Sequence, residues 1–382
     1  MKWCLQPSTL LTLFALSTAC GGNVNLGARE QEGVPVLDTP AGASLDDPYQ
    51  VKSERTLELG GVHGLGLLVV AGEFLYLPGY RGQGGNSGFF RCSKRQCQST
   101  FQRLPGVNGA LASMQADGER LVFKSVEPGD WIGSFALPDA TDRQVLVEQL
   151  PRGDYNGLLS YAGFLYWPVL VDSAYYRCKL PTCVGGPRKS LDVQVATRLS
   201  GDGSSIFTTV DGQIARMTQL GDGPTEFLLP DATLSVVPRA SEDQPLDSTG
   251  EFVTDVAASA GLLYGVIRLP CGQSCCDRCP RLIARWPEGG GSREELFRSA
   301  GDVSNLLVAG QELIWVASRP EDPERADLTT CRAEACSRTL RHLASVDAFF
   351  QGVAVDAERI YWLDQSAPGN AQVRSVTLQP TP

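Results

Sequence analysis

Cys271, Cys275, Cys276 and Cys279 fall within nine residues, CGQSCCDRC, the densest concentration of reactive side chains in the chain. Four thiolates at this spacing can hold zinc or an iron–sulfur cluster. In an oxidising compartment the same four thiols close two disulfides, and a free thiol in a mixed state is the third option. General-base chemistry has little to draw on, because the only histidines are His63 and His342. His63 lies in GGVHGLG, a glycine-rich entry to an apolar run, and is the one candidate base near a channel wall. The other reading of His63 is a wall histidine with a satisfied hydrogen bond. His342, in RTLRHLAS, reads as structural or exposed. There is no G-x-S-x-G, no phosphate-binding glycine loop, no H-E-x-x-H and no calcium-loop pattern, so no catalytic residue is assigned. Asp117, Asp202 and Asp356 precede turn residues, where a carboxylate bonds the local backbone, and read as turn formers rather than paired acids.

The choice between metal and disulfide depends on compartment, and the first residues bear on it. The segment 1–19 reads as an export signal: Lys2 is its positive start, LLTLFAL (Leu10–Leu16) its apolar core, and small residues follow before Cys20. The apolar core is too short to span a bilayer, which needs about 20 residues. Residues 20–50 are rich in Gly, Pro, Asp and Glu and have the composition of a flexible tether. Such a tether reaches roughly 30 Å on average and about 100 Å at full stretch. No later apolar run is long enough for a membrane helix. Twelve cysteines against two histidines fits export, and the net charge of −10 argues against a nucleic-acid partner, which needs clustered Lys and Arg. SKRQ (Ser93–Gln96), the densest basic patch, reads as a solvated hairpin tip.

From Val51 one phrase recurs: an apolar strand, a polar turn, then a strand ending in an aromatic. LLVVAGEFLYLPG, SMQADGERLVFKS, LLSYAGFLYWPV and VAVDAERIYWLDQ are examples. The aromatics Tyr76, Phe123, Tyr166, Phe207, Tyr264, Trp315 and Tyr361 follow one another at steps of 41 to 57 residues. This period, with several short strands per repeat and almost no helical periodicity, predicts an all-β fold, a single β-propeller over 51–382. Seven anchors predict seven blades, with six or eight as alternatives because the fourth and fifth repeats are stretched. Trp167, Trp315 and Trp362 read as packing between blades. The last repeat has three clear strands, and SERTLELG (Ser53–Gly60) lacks a partner near it. This predicts that the two chain ends pair to complete the last blade and remove an exposed edge.

Three repeats carry C-x4-C: Cys92 and Cys97 in FRCSKRQC, Cys178 and Cys183 in YRCKLPTC, Cys331 and Cys336 in TTCRAEAC. The cluster from Cys271 lies at a similar distance past its own anchor, Tyr264, and Cys271 and Cys276 are again C-x4-C. The economical expectation is a hairpin tip stapled twice, with Cys271–Cys275 and Cys271–Cys279 equally permitted. On this reading ten cysteines form five pairs and no metal or cofactor is bound. Closing so small a loop stabilises by about 1–2 kcal/mol on the chain-entropy argument, so rigid, protease-resistant polar tips are the larger expected gain.

Two resemblances follow. The segment ending TAC resembles a bacterial lipoprotein signal in Ala19, Cys20, Gly21 and Gly22, and departs from it at Ser17, where Leu or Val is usual; it implies lipidation of Cys20. The alternative is an ordinary cleaved secretory signal. The YW…C-x4-C repeats, with TCVGG (Thr182–Gly186), resemble the propeller-repeat lipoproteins of myxobacteria. That resemblance implies a propeller at the bacterial cell envelope, membrane-anchored through lipid and facing the periplasm or the surface; it implies no activity. The expected function is a non-enzymatic binding or scaffold module with a protein or glycan ligand. The alternative is a propeller enzyme, a lyase or a glycan-acting hydrolase, with acids and His63 at the channel mouth.

Overall fold

A computed structural model describes residues 55–378 apart from 60–61, 65–66, 82–86, 106–110, 126–129, 149, 151–156, 170–173, 193–198, 202–204, 211–212, 219–225, 229–250, 271–278, 290, 323, 348–351 and 365–371. The expected signal and tether, 1–19 and 20–50, lie outside the described residues.

The described strands form seven antiparallel sheets, a seven-bladed β-propeller. Blade 1 is Val62–Gly64 with Val69–Ala71, then Phe74–Arg81, Ser87–Ser93 and Gln102–Arg103. Blade 2 is Leu111–Asp117, Arg120–Ser125, Trp131–Ala136 and Thr141–Val147; blade 3 is Leu159–Tyr161, Phe164–Val169, Ala174–Lys179 and Arg188–Asp192. Blade 4 is Ser200–Gly201, Ser205–Val210, Gln213–Thr218 and Glu226–Leu228; blade 5 is Phe252–Ser259, Leu262–Arg268, Arg281–Pro287 and Glu294–Ser299. Blade 6 is Val303–Ala309, Glu312–Ser318, Arg325–Arg332 and Arg341–Asp347. Blade 7 is Val353–Val355, Arg359–Asp364 and Gln372–Thr377, and its outer strand is Arg55–Glu58 from the other end of the chain. Arg55 lies opposite Ser375 and Glu58 opposite Gln372 in an antiparallel register. The expected pairing of chain ends is therefore observed.

The turns explain the recurring sequence phrase. The first two strands of blades 1, 2, 3, 5 and 6 are joined by two residues. In blades 3 and 5 both turn residues, Ala162–Gly163 and Ala260–Gly261, have positive φ. That turn matches the right-handed twist of the strands and favours Gly at its second position. The second strands are buried through their middles, and all seven anchor aromatics are 0–3% exposed. They are buried because each packs against a neighbouring blade, the following one for Tyr76 and Tyr264 and the preceding one for Phe123 and Trp315, so the core is a circle of seams rather than one central mass. Trp167, Trp315 and Trp362 are buried in these seams as expected.

An innermost strand has a free edge whose N–H groups need acceptors. Side chains of one blade supply them to the next. Ser113 Oγ accepts from the Leu158 N–H at 3.2 Å and Gln115 Oε1 from Ser160 at 2.8 Å. Ser200 Oγ accepts from Ala258 at 2.9 Å, and the buried Asp255 Oδ2 from Leu306 at 3.0 Å.

The closing pair should carry measurable stability. A chain starting at Val51 should melt as the parent does, whereas one starting at Gly61 loses the outer strand of blade 7 and the buried Leu59. Its Tm should fall by about 5 °C in calorimetry, the equivalent of a few kcal/mol for a domain of this size. Equal Tm values would remove the closing pair as a source of stability.

Candidate functional site

An antiparallel four-stranded blade puts its first and third turns at one end, and its second turn and the link to the next blade at the other. The C-x4-C pairs of blades 1, 3 and 6 belong to the first end. Each begins as the third strand finishes and leads into the outer strand. All three are disulfides, Cys92–Cys97, Cys178–Cys183 and Cys331–Cys336, with Cα–Cα distances of 4.6, 4.9 and 4.9 Å.

Two of these tips are built alike beyond their cysteines. A helical turn, Cys97–Thr100 or Cys336–Thr339, starts at the second cysteine. Thr100 Oγ1 accepts from the Ser93 N–H at 2.8 Å and donates to Gln96 O at 2.6 Å. Thr339 Oγ1 accepts from Arg332 N–H and donates to Ala335 O, both at 2.9 Å. The pattern is therefore C-x4-C-x2-T in both repeats, visible in the sequence once the threonine is aligned. Blade 3 replaces the threonine by Gly186, whose N–H donates to Cys183 O at 3.0 Å.

These tips are not the polar loops with little core that the sequence suggests. The six cysteines are 0–5% exposed. Cys92 and Cys97 pack with Leu59, Ile360, Trp362 and Val376 of the closing seam. Cys178 and Cys183 pack with Leu146, Val147 and Leu150 of blade 2, and Cys331 and Cys336 with Leu296 and Phe297 of blade 5. Each tip leans on the preceding blade, so its sulfurs are seam packing. The tip residues between paired cysteines look polar in sequence because the partner surface comes from a distant part of the chain.

The docked tips meet a repeated socket. Opposite the anchor aromatic, the third strand carries an arginine in four blades: Tyr76–Arg91, Tyr166–Arg177, Phe207–Arg216 and Tyr264–Arg285. Tyr76 Oη donates to Pro138 O at 3.3 Å and Arg91 pairs with Asp139 at 2.6 Å, both on the tip of blade 2. Arg216 reaches Glu288 of the blade 5 tip at 3.8 Å, and Arg285 donates to Ala333 O of the blade 6 tip at 3.3 Å. Burial raises the Tyr76 and Tyr264 hydroxyl pKa values despite the adjacent arginines, so both stay protonated donors.

At the closing seam the socket is different. Lys94, inside the Cys92–Cys97 loop, donates to Asp356 Oδ2 at 2.8 Å, and Tyr361 Oη donates to the same oxygen at 3.1 Å. Asp356 Oδ1 also accepts from the Glu358 and Arg359 amides at 2.9 and 2.8 Å, which is the turn role expected of it. Burial alone would raise this carboxyl. The Lys94 bond and the two amides outweigh it and hold Asp356 below the usual carboxylate range. SKRQ is thus not a solvated tip throughout: Arg95 projects outward with 79% of its side chain exposed, while Lys94 crosses to blade 7.

The cluster CGQSCCDRC stands in the chain before the third strand of blade 5, not after it. The Leu269 N–H donates to Pro280 O at 2.9 Å, so 271–279 connects the second strand of blade 5 to the third. The expectation that it shares the slot of the other pairs is corrected. Distance past the anchor misled because in blade 5 the third strand starts after the cysteines, not before them. Cys279 is buried and disulfide-bonded. Its partner, like Cys271, Cys275 and Cys276, lies outside the described residues.

His63 sits in the split innermost strand of blade 1, opposite Tyr80, and its side chain lies outside the described residues. His342 is in the outer strand of blade 6. Its Nε2 lies 3.0 Å from Asp327 Oδ1 and 3.1 Å from Ala344 O. Both neighbours accept, so Nε2 carries a hydrogen. Arg319 binds the same Asp327 oxygen at 2.6 and 3.0 Å. Burial raises the Asp327 carboxyl, but His342 and Arg319 outweigh it and lower its pKa. This trio ties the second, third and outer strands together. Asp117 ends its strand at a turn as expected, and Asp202 lies outside the described residues. Among the described residues no three His, Cys, Asp or Glu side chains are placed to hold a metal, and no helix is long and apolar enough to cross a membrane.

No protein-family model matches this chain, and no curated protein matches its sequence. Solved structures do. An oligogalacturonate lyase in complex with manganese aligns at a TM-score of 0.55 and 13% identity, covering 80% of this chain and 86% of its own. A catalytically inactive virginiamycin B lyase from Staphylococcus aureus, crystallised with quinupristin, aligns at 0.52 and 11%, covering 85% and 99%. Prolyl oligopeptidase B from Galerina marginata aligns at 0.52 and 11%, covering 80% of this chain and 45% of its own. At these identities the likeness is one of fold.

The Lys94–Asp356 bridge gives a pH prediction. A carboxyl depressed in the folded state contributes stability above its unfolded pKa, near 4, and loses it as pH falls through the folded value. Asp356→Asn should be less stable than the parent by about 1–2 kcal/mol at pH 7, since one partner of a half-buried pair is removed. The gap should narrow as pH falls through the range below the ordinary carboxylate value, about 4. Urea unfolding across that range measures it; a gap constant with pH would mean the contribution is not ionic.

Proposed function

We propose that this chain is an exported envelope lipoprotein whose propeller is a rigid binding and scaffold module, of the myxobacterial repeat type that its sequence resembles. The observation that carries the reading is the use of oxidised cysteine pairs as seam packing. Six described cysteines are disulfide-bonded and buried between blades, and Cys279 is a seventh in a disulfide. A fold that places disulfides in its core is suited to an oxidising, extracytoplasmic compartment. Export in turn gives Cys20 its role: the thiol takes the lipid, and residues 20–50 hold the ring clear of the headgroups.

Two features support binding over catalysis. The described Asp255, Asp327 and Asp356 each hold blades or strands together, through Leu306, Arg319 and Lys94 respectively, and His342 is held by Asp327. A side chain so engaged strengthens the ring and is not set to exchange protons with a substrate. The partner would be a protein or a glycan, which a stiff ring of loops can recognise with little ordering cost. The lyases and the peptidase of similar fold supply no residue to transfer.

The membrane attachment is tested by expressing the full chain and its Cys20→Ser variant in a bacterial host with an alkyne-tagged fatty acid. The parent should carry the label, begin at Cys20 by mass spectrometry and sediment with membranes. The variant should carry no label and sediment at least about tenfold less. An unlabelled parent with another N-terminus would reject the lipoprotein reading while leaving the propeller module intact.

A further inference from the structure

The three described disulfides are chemically alike but not equivalent in place. Cys178–Cys183 packs on blade 2 and Cys331–Cys336 on blade 5, in both cases the blade that directly precedes in the chain. Those seams are also held by the backbone link. Cys92–Cys97 packs on blade 7, the blade assembled from both chain ends, whose outer strand Arg55–Glu58 runs on into blade 1. Among the described residues that outer strand is held to the rest of blade 7 by side chains and by the backbone pairing of Arg55–Glu58 with Gln372–Thr377.

Three contacts converge from the Cys92–Cys97 loop onto that joint. The buried sulfurs pack in one cluster with Leu59, the residue that follows the closing strand. Lys94, within the loop, bonds Asp356 of blade 7. The helical turn Cys97–Thr100 lies against Arg55–Glu58 itself. Its position is set by the disulfide at one end and by Thr100, which bonds Ser93 and Gln96, at the other.

We propose that the Cys92–Cys97 loop is a redox-operated latch on the joint between the chain ends. In the disulfide form the six-residue span from Cys92 to Cys97 is held short, so Lys94, Cys97 and the turn arrive together at Leu59 and Asp356. In the dithiol form the loop loses that constraint and the closing strand is released first. The step is balanced: two thiols lose two protons and two electrons to an oxidised dithiol of the exporting compartment, one sulfur–sulfur bond forms here and one breaks there. A chain still reduced therefore carries an open ring with a free strand edge, and oxidation after export locks it. The inference does not depend on lipidation of Cys20.

The test is amide hydrogen exchange on the oxidised full chain, comparing Cys92→Ala/Cys97→Ala with Cys331→Ala/Cys336→Ala. The first variant should speed exchange in peptides covering 55–59 and 372–377 by about tenfold or more, with blades 3 to 5 unchanged. The second should loosen 281–299 and leave the closing pair as it was. Unchanged exchange at 55–59 in the first variant, or an equal rise there in both, would overturn the latch. Should the first variant not fold, partial reduction and alkylation of the native protein decides the matter. Molecules alkylated at Cys92 and Cys97 should exchange faster at 55–59 than unalkylated molecules, and equal rates would overturn the proposal.

Discussion

A ring of blades depends on one joint that the chain does not supply. It lies inside blade 7, where the outer strand Arg55–Glu58 meets Gln372–Thr377 by backbone hydrogen bonds and Arg55 stands opposite Ser375, 320 positions away. Bringing two points that far apart together in a flexible chain costs about 5 kcal/mol on the logarithmic closure relation. The cost is far smaller once the intervening blades have stacked, because the ends are then already near each other. The joint is therefore the last to become favourable and the first to become unfavourable. This explains why the molecule concentrates devices there: a backbone pairing, a buried leucine, an ammonium–carboxylate bond, a tyrosine hydroxyl and a disulfide.

The other seams work by the same logic with different atoms. A tip leans back onto the preceding blade and finds an aromatic with a donor beside it. The donor is an arginine to a carboxylate at one seam and an arginine to a backbone carbonyl at another. Between blades 3 and 4 two strand residues meet instead, the buried hydroxyls of Tyr175 and Thr208 lying 2.7 Å apart. Near the axis, side-chain oxygens satisfy the edge amides of the next blade. An unmet buried amide costs about 1–3 kcal/mol, more than a met one contributes, so these acceptors preserve what the blades gain by stacking. The fold is held from two radii at once, by hydrogen bonds inside and by sulfur, aromatics and ions outside.

What the sequence exposes and hides follows from the range of each interaction. The anchors Tyr76 to Tyr361 and the two-residue turns are local, and their period is enough for seven blades and for the pairing of the ends. The threonine of C-x4-C-x2-T is equally local, at the same offset in Thr100 and Thr339, and needs only alignment of the two tips to be seen. The arginine of the socket is less visible, because Arg91, Arg177, Arg216 and Arg285 lie 15, 11, 9 and 21 residues past their anchors as the connecting loops vary. Lys94 and Asp356 are 262 residues apart, and nothing near either marks the other. The same limit produced the misplaced cysteine cluster of blade 5: distance along the chain does not reveal at which end of a blade a loop emerges.

Degenerate repeats are the natural outcome of such a design. A seam asks for an aromatic body, a donor within reach of the next tip and a tip that stays closed. Arginine, lysine or tyrosine meets the second demand, and a disulfide with threonine, a disulfide with glycine, or the LPDA turn of blade 2 meets the third. Because the demand is geometric, residue identity can drift while the ring persists, which is how structures only 11–13% identical share its architecture. It also explains why that likeness transfers no chemistry. What this chain shares with those structures is the fold, and the described polar groups of this chain are largely committed to holding its blades together.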